Sequence, residues 1–221
     1  MSLTCSCPVA AAIPNIPISS CPQSIGQIQK VVFQRVFNTD GTKNALDAST
    51  ANPTLKATWT ALLAAANATK VVCSPYLNAP TGEAGAIKTY GSGNEVLGGI
   101  PITIGREPST FTCNLLQQPQ STIEALKSYM CEEVGVYLIN ENGVIWLLAD
   151  ATTPTEYYPV PIHTFFVGDK TPGGLDSPDM NVMSWYFAPN WSDRLVPVVP
   201  TDFNALTDLL TPASTTTTTT T

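Results

Sequence analysis

His163 is the only histidine in the chain, so most familiar catalytic sites would have to depend on it. A serine or cysteine nucleophile of the Ser-His-Asp or Cys-His type needs an imidazole beside it to accept a proton. His163 lies inside the apolar run IHTFF, which is typical of a β-strand, and no Gly-x-Ser-x-Gly motif accompanies it. We therefore interpret His163 as a strand residue and predict no catalytic residue and no enzymatic activity.

Hard oxygen ligands of the kind that bind Ca²⁺ cluster in one acidic segment. They fall within thirteen residues and comprise Asp169, Asp176, Asp179 and Asn181. Their spacing matches no EF-hand loop, and the prolines and glycines between them are typical of a turn. We prefer the interpretation as an acidic turn and predict no metal here.

Zinc and phosphate sites find equally little support. Zinc knuckles pair two Cys-x(2 to 4)-Cys units or combine one with histidines, but Cys5, Cys7 and Cys21 have no such second unit. The other three cysteines lie in apolar stretches, where buried thiols are the simplest expectation: Cys73, Cys113 and Cys131. Gly91 and Gly93 are followed by Val96 where a dinucleotide fingerprint needs glycine. The sequence thus predicts no metal and no cofactor.

Charge excludes a further class of function. The 221 residues contain 17 acids and 10 bases, a net charge of -7, and only 12% of the chain is charged. So few Lys and Arg residues leave no broad basic surface for nucleic acid. The imbalance is also uneven, with a net charge of -1 over residues 1–149 and -6 from Asp150 to the end.

The elements that would position these residues form one domain. Residues 1–29, rich in proline and lacking Lys and Arg, are predicted to be an extended arm, and residues 211–221 a low-complexity threonine tail. No basic segment typical of a secretory signal begins the chain, and no apolar run is long enough for a membrane span. Between the arms, residues 30–210 are predicted to be a single domain.

The hydrophobic periodicity predicts that this domain belongs to the α+β class and consists mostly of β-strands. Alternating or β-branched runs predict strands over residues 30–37, 71–73, 99–104, 109–116, 134–139, 144–149, 157–167 and 181–188. Apolar spacing of three and four predicts a helix over residues 53–66 with Trp59 inward, and a second over residues 121–131 with Ser121 and Glu124 as its capping box. A short helix is expected near residues 202–210. Residues 74–99 are predicted to be a long, functional loop. The prolines at 159 and 161 place the strand over residues 157–167 at a sheet edge.

Several stretches resemble one family of proteins. They are VGVYLINENGVIWLLAD from Val134, PVPIHTFFVGDKTPGGLDSPDMNVMSWYFAPNWSDRLVPVVPTDFN from Pro159, KVVFQRVF from Lys30, and TKVVCSPYLNAPTGEAGAIKTYGSGNEVLGGIPITIGREPSTFT from Thr69. They are similar to virion structural proteins of tailed bacteriophages that infect Bacteroidota-type bacteria, and look most like the major tail tube proteins.

The resemblance implies a β-sandwich or barrel-like fold with one helix packed on its outside. It also implies stacked, hexameric rings whose inner strands form a continuous barrel around a channel for DNA. Residues 121–131 would be the outer helix, residues 74–99 would reach a neighbouring subunit or ring, and both terminal arms would bridge rings. The implied partners are other copies of the chain, other tail proteins and DNA in passage, with no membrane. The implied location is the phage tail, assembled in the host cytoplasm.

The uneven charge leads to one further hypothesis. Because Lys and Arg would hold a passing polyanion, part of the acidic excess from Asp150 onward is expected to face the channel. Two other classes also fit the composition. One is a capsid decoration or head-fibre protein, and the other is a secreted adhesin or surface-layer subunit.

Overall fold

The computed structural model describes residues 15–18, 21 and 23–210, and the elements below are those of these residues. The strands are β1 (Ile28–Arg35), β2 (Leu46–Asp47), β3 (Val71–Cys73), β4 (Asn78–Glu83), β5 (Ile87–Tyr90), β6 (Ile102–Arg106), β7 (Ser109–Leu116), β8 (Val134–Asn140), β9 (Ile145–Ala149), β10 (Glu156–Tyr158), β11 (Val160–Val167), β12 (Met180–Phe187) and β13 (Leu195–Val198). The helices are α1 (Lys56–Ala64), α2 (Gln120–Ser128) and α3 (Ala205–Asp208). The predicted α+β, mostly β class is confirmed.

All strand pairs are antiparallel, and eleven strands belong to one branched sheet that folds over on itself. The back sheet contains β1, β2, β3, β8, β9, β10 and β13. The front sheet contains β4, β7, β12 and the part of β11 from Ile162 onward. The remaining two strands, β5 and β6, pair with each other alone.

Strand β11 passes from one sheet to the other. Val160 and Pro161 pair with Val136 and Gly135 of β8, whereas residues 162–167 pair with β12. A bulge at Thr164, whose φ is +51°, bends the strand between the two sheets. The prediction that the strand over residues 157–167 lies at an edge is wrong at Tyr157, which pairs with Leu46 of β2 on one side and Ala149 of β9 on the other. Pro161 is tolerated in β11 because among the described residues it has one strand partner, β8, so its missing N–H breaks no second ladder.

Two apolar cores flank the back sheet. One fills the space between the sheets, and the other lies behind the back sheet under α1 and α3. Strand β8 is therefore buried along all seven of its residues. A strand covered on both faces has a nearly continuous apolar sequence, as VGVYLIN does.

Helix α1 is attached to the back sheet through Trp59. The indole is completely buried, its Nε1 donates to the Pro53 carbonyl oxygen at 2.8 Å, and its ring meets Tyr137 edge-on at 5.2 Å. The inward position predicted for Trp59 is confirmed. Leu55, by contrast, precedes the helix and is 40% exposed, and Leu63 is the second buried residue.

Helix α2 packs Ile123 and Leu126 into the core between the sheets. It begins one residue earlier than predicted, with Pro119 at its N-cap and no side-chain cap. The capping box expected at Ser121 and Glu124 is therefore wrong, because Ser121 already belongs to the first turn. The helix lying on an outer sheet face is α1 rather than α2.

Part of the predicted arm is held by hydrogen bonds, and part of the predicted loop forms strands. Residues 25–27 run beside the turn between β8 and β9, where the Asn140 amide donates to the Ile25 carbonyl oxygen at 3.0 Å and the Glu141 amide nitrogen to that of Gln27 at 3.0 Å. The predicted loop over residues 74–99 contains β4 and β5. The predictions for residues 1–14 and for the tail over 211–221 lie outside the described residues.

Replacing Trp59 with alanine should destabilise the domain by about 3–5 kcal/mol, because it opens a cavity and leaves the Pro53 carbonyl oxygen unpaired. Leu55→Ala, a change on the neighbouring exposed residue, should cost no more than about 0.5 kcal/mol. Urea unfolding of both variants measures this difference. Equal losses for the two variants would show that Trp59 does not anchor the helix.

Candidate assembly surfaces

A hairpin carrying exposed apolar side chains projects from the end of the front sheet. This projecting hairpin, residues 84–108, leaves the sheet after β4 and returns at the start of β7. Six large apolar side chains on it are between 58% and 104% exposed: Ile87, Tyr90, Leu97, Ile100, Ile102 and Ile104. Because monomeric proteins rarely expose so contiguous an apolar segment, it has the character of an interaction site.

Backbone contacts fix the hairpin's base. Gly85 lies so close to Glu107 that a Cβ at this position would collide with the Glu107 carbonyl group. The Glu107 amide nitrogen donates to the Ala86 carbonyl oxygen at 2.8 Å, and the Arg106 guanidinium donates to the Asn190 side-chain oxygen. The direction in which the hairpin leaves the front sheet is thus set by the fold.

The tip of the hairpin contains Gly91 and Gly93, the glycines whose spacing does not match a dinucleotide fingerprint. Gly91 and Gly93 have φ values of +78° and +59°, which only glycine adopts readily. Between and after them, Ser92 and Glu95 form a capping box around a single 3-10 turn. The turn is only three residues long, and the two glycines allow the chain to reverse direction at the tip of the hairpin.

The front sheet presents one uncovered face, which we term the front face. Its strands alternate between the core and this face, so that Phe111, Cys113 and Leu115 of β7 point inward. Asn78, Leu116 and Met180 share the outward register, and ten further outward side chains on the four strands are Thr81, Glu83, Thr110, Thr112, Asn114, Val182, Ser184, Tyr186, His163 and Phe166. None of these ten is a lysine or an arginine. The alternation of apolar and polar residues in β7 and β12 can be recognised in the sequence. The sequence does not indicate which of the two sheets stays uncovered.

The front sheet ends in two strands with one partner each. Among the described residues, β4 pairs with β7 alone. On the opposite side, β11 pairs with β12 alone over residues 162–167, because its contact with β8 ends at Pro161. Strand edges of this kind can pair with another chain.

His163 lies on the front face, opposite Tyr186 of β12. Its predicted place in a strand is confirmed. The prediction that it has no catalytic role is not tested by this placement and stays a prediction.

The polar side chains of the acidic segment after β11 contact helix α2 and their own loop. The Lys127 ammonium forms an ion pair with Asp169 and, mainly through its hydrogen bond, holds the pKa of that carboxyl below its usual value. Asp179 accepts from the Gly173 amide nitrogen at 3.0 Å, and the buried Asn181 donates to the Gly168 carbonyl oxygen at 3.0 Å. Across the described ranges, no three His, Cys, Asp or Glu side chains are placed to share a metal ion.

Other acids of the last third form turns or pairs on the side of the back sheet. Asp150 accepts hydrogen bonds from Thr152 and Thr153, which lower its pKa to about 2. Asp202 accepts from the Lys56 amide nitrogen at 2.8 Å, and Asp208 pairs with the Lys56 ammonium at 3.1 Å. None of the eight acids from Asp150 onward occupies an outward position on the front face.

The cysteines differ in exposure. Cys113 is buried in the core, where burial raises the pKa of its thiol to about 12. Cys73 is half-buried, and burial raises its pKa to about 11. Cys131 is exposed, so its predicted burial is wrong, because it lies in the 3-10 turn after α2. Cys5 and Cys7 lie outside the described residues.

Gly85→Ala should loosen the base of the hairpin by about 1–3 kcal/mol, because the new methyl group meets backbone that cannot move freely. Trypsin should then cut faster at Lys88 and Arg106, as mass spectrometry of a digestion time course would show. Gly105→Ala is the matched control, since no atom lies within 4 Å of its added Cβ. Equal cleavage of the two variants would contradict the close contact at Gly85.

Acid should weaken the turn at Asp150. Its folded pKa is lowered to about 2, so its contribution to stability is complete above an ordinary aspartate pKa of about 4 and is lost as the pH falls through about 2. Asp150→Asn keeps an accepting oxygen without a titratable group. The stability difference between the two proteins should therefore shrink from pH 5 to pH 2, approximately as a single titration. An NMR titration midpoint for Asp150 near 4 would refute this.

Comparisons with known proteins do not assign this chain to a family. Among the described residues, no helix is long and apolar enough to span a membrane. No protein-family model matches the chain, and no curated protein matches it. Among solved structures it is similar to a chain of the "Cryo-EM structure of the anti-feeding prophage (AFP) baseplate, 6-fold symmetrised", with 9% sequence identity and a TM-score of 0.34. That alignment covers 82% of this chain and 98% of the other. A TM-score this low establishes neither a shared fold nor a shared function.

Proposed function

We propose that this chain is a virion structural protein that closes into rings, and that the rings stack into the tail tube of a bacteriophage. The observation that carries the proposal is the projecting hairpin, whose apolar side chains find no core within the described chain. Burying one such side chain contributes about 1.5–3 kcal/mol. Six of them on every copy give a large apolar contribution that opposes the cost of association, which is about 4–15 kcal/mol.

The two edges of the front sheet support closure of a ring. The outer edge of β4 in one copy can pair with residues 162–167 of β11 in the next, which continues the sheet from copy to copy. A contact between two different surfaces of the same chain closes when the rotation between copies divides a full turn. No strand edge of the front sheet then remains exposed.

The size of such a ring fits the proposed role. Six copies, the number that the resemblance implies, would each add four strands to a barrel. At a strand spacing of about 4.8 Å, the backbone diameter is about 37 Å before strand tilt widens it. A barrel of that size leaves an open bore for a DNA duplex instead of a packed interior.

The hairpin would then join one ring to the next. It extends beyond the end of the front sheet, and the loop between β11 and β12 lies at the opposite end. A hairpin that leaves along the strand direction is suited to contacts along a tube axis. This role is the one that the resemblance implies for residues 74–99, extended here to residue 108.

The proposed role is structural, without catalysis. A capsid decoration or head-fibre protein would form a trimer or a monomer in place of ring stacks, and a surface-layer subunit would form flat lattices. An enzyme would show an activity that His163→Ala abolishes, and we expect none.

The double variant Ile102→Ser and Ile104→Ser should fold normally and fail to form tubes. Both side chains are exposed in the isolated chain, so the free energy of unfolding should change by no more than about 0.5 kcal/mol per site. Negative-stain microscopy and sedimentation velocity would compare assembly of this variant with that of the unsubstituted protein, which we expect to form tubes or six-fold rings.

Val199→Ser is the matched control, because Val199 is 63% exposed but lies after β13, away from the hairpin. It should assemble like the unsubstituted protein. Tubes formed by the double variant would rule out the hairpin as the stacking contact. Compact trimers of the unsubstituted protein would favour the capsid decoration role, and flat lattices a surface-layer role.

A further inference from the structure

We infer that the front face is the surface that DNA meets in the assembled tube, and that this wall consists mainly of uncharged side chains instead of carboxylates. The inference rests on the proposed function, and it replaces the expectation that the acidic excess faces the channel. Its basis is the position and chemistry of the outward side chains on β4, β7, β11 and β12.

Only one of the two sheets has a free face to offer. The outer face of the back sheet lies under α1 and α3, where Trp59, Ala205 and, directly after α3, Leu209 are buried. On the front sheet, the outward side chains of the described strands are exposed or half-buried, including Thr112, Val182 and Tyr186. A smooth channel wall built from strands must therefore come from the front face.

The direction of the hairpin orients that face. If the hairpin bridges rings, the strands of the front sheet from which it extends run along the tube rather than around it. The front face is then parallel to the axis and looks either into the bore or away from it. The sheet closes into a barrel with its helices outside only when the front face looks inward, because α1 and α3 lie on the far side of the domain.

The chemistry of the face suits a passing duplex. Cross-strand neighbours form rows of hydroxyl and amide groups, with Ser184 opposite Thr112, and Thr112 opposite Thr81. Such groups bind water and provide no cation to replace the counterions of DNA. The phosphates of a passing duplex are therefore not bound by this face. The aromatic rings of Tyr186 and Phe166 can stack on bases, but in a duplex the bases are already stacked on one another.

The carboxylates lie elsewhere. Glu83, on the outermost strand of the sheet, is the one acid among the outward positions named on the front face. Asp202 and Asp208 contact Lys56 at the start of α1, on the opposite side of the domain. The excess of negative charge in the last third therefore belongs mainly to turns and to the outer surface.

Chemical labelling of assembled tubes tests this placement. Thr112→Cys and Ser184→Cys introduce thiols on the front face, and Thr60→Cys introduces one on the exposed side of α1. In tubes, a bulky polymer-linked maleimide should label Thr60→Cys and spare both front-face thiols, whereas a small maleimide should label all three. In the unassembled protein both reagents should label all three. Site-resolved mass spectrometry separates these signals from those of the native cysteines.

The outcomes distinguish the two proposals. If the unsubstituted protein forms no tubes, the proposed function fails and this inference fails with it. If tubes form and the bulky reagent labels Thr112→Cys as fast as Thr60→Cys, the front face points outward and this inference alone is overturned. Ser184→Cys gives the same answer should Thr112→Cys prevent assembly.

A charge substitution tests the chemistry of the wall. Tubes of Thr112→Lys should retain a short duplex DNA at least about tenfold more than unsubstituted tubes at low salt, and should release it as salt rises. Tubes of Thr60→Lys carry the same added charge on the outer surface and are the matched control. Equal retention by the two variants, or strong retention by unsubstituted tubes, would overturn the inference.

Discussion

A two-stranded hairpin has no interior, so the apolar side chains on it are buried by something else or stay in water. The projecting hairpin places this constraint at one end of the molecule, where Ile102 and Ile104 have no cover in the described chain. The constraint is not a defect of folding, because two complete cores lie elsewhere and the hairpin base is fixed by the close approach of Gly85 to Glu107. A rigid element that exposes apolar groups is suited to binding a partner. The proposed ring stack follows from that element together with the two singly paired edges of the front sheet.

The same architecture changes how the net charge is understood. The charge split along the chain favoured a channel lined by acids, yet the folded chain uses several of those acids locally. Asp150 closes a turn, Asp169 pairs with Lys127, and Asp208 pairs with Lys56. The outward positions named on the front face include a row of hydroxyl groups and no lysine or arginine. For a passing polyanion, the lack of cations is the requirement, and added negative charge is not needed to meet it.

Much of the secondary structure could be predicted from local sequence. Strands β7, β8, β9 and β12 have the alternation or continuous apolar character that strands of their burial require, and an Asn-Gly turn joins β8 to β9. Trp59 was identifiable as inward from its spacing. Local signals failed where the tertiary environment decided the outcome. Tyr157, in a strand expected at a sheet edge, has partners on both sides, and the capping box forms at Ser92, in a segment expected to be a loop. The candidate surfaces were the least predictable, since which face stays uncovered depends on where α1 and α3 pack.

The central claim is that the front sheet continues from copy to copy around a bore. A cryo-EM reconstruction of the assembled protein tests this most directly, at a resolution that separates neighbouring strands. The account predicts that β4 of one copy pairs with β11 of the next, with the front face towards the axis and the hairpin in contact with the adjoining ring. A closed assembly with the front sheet facing solvent, or with helices lining the bore, would contradict it.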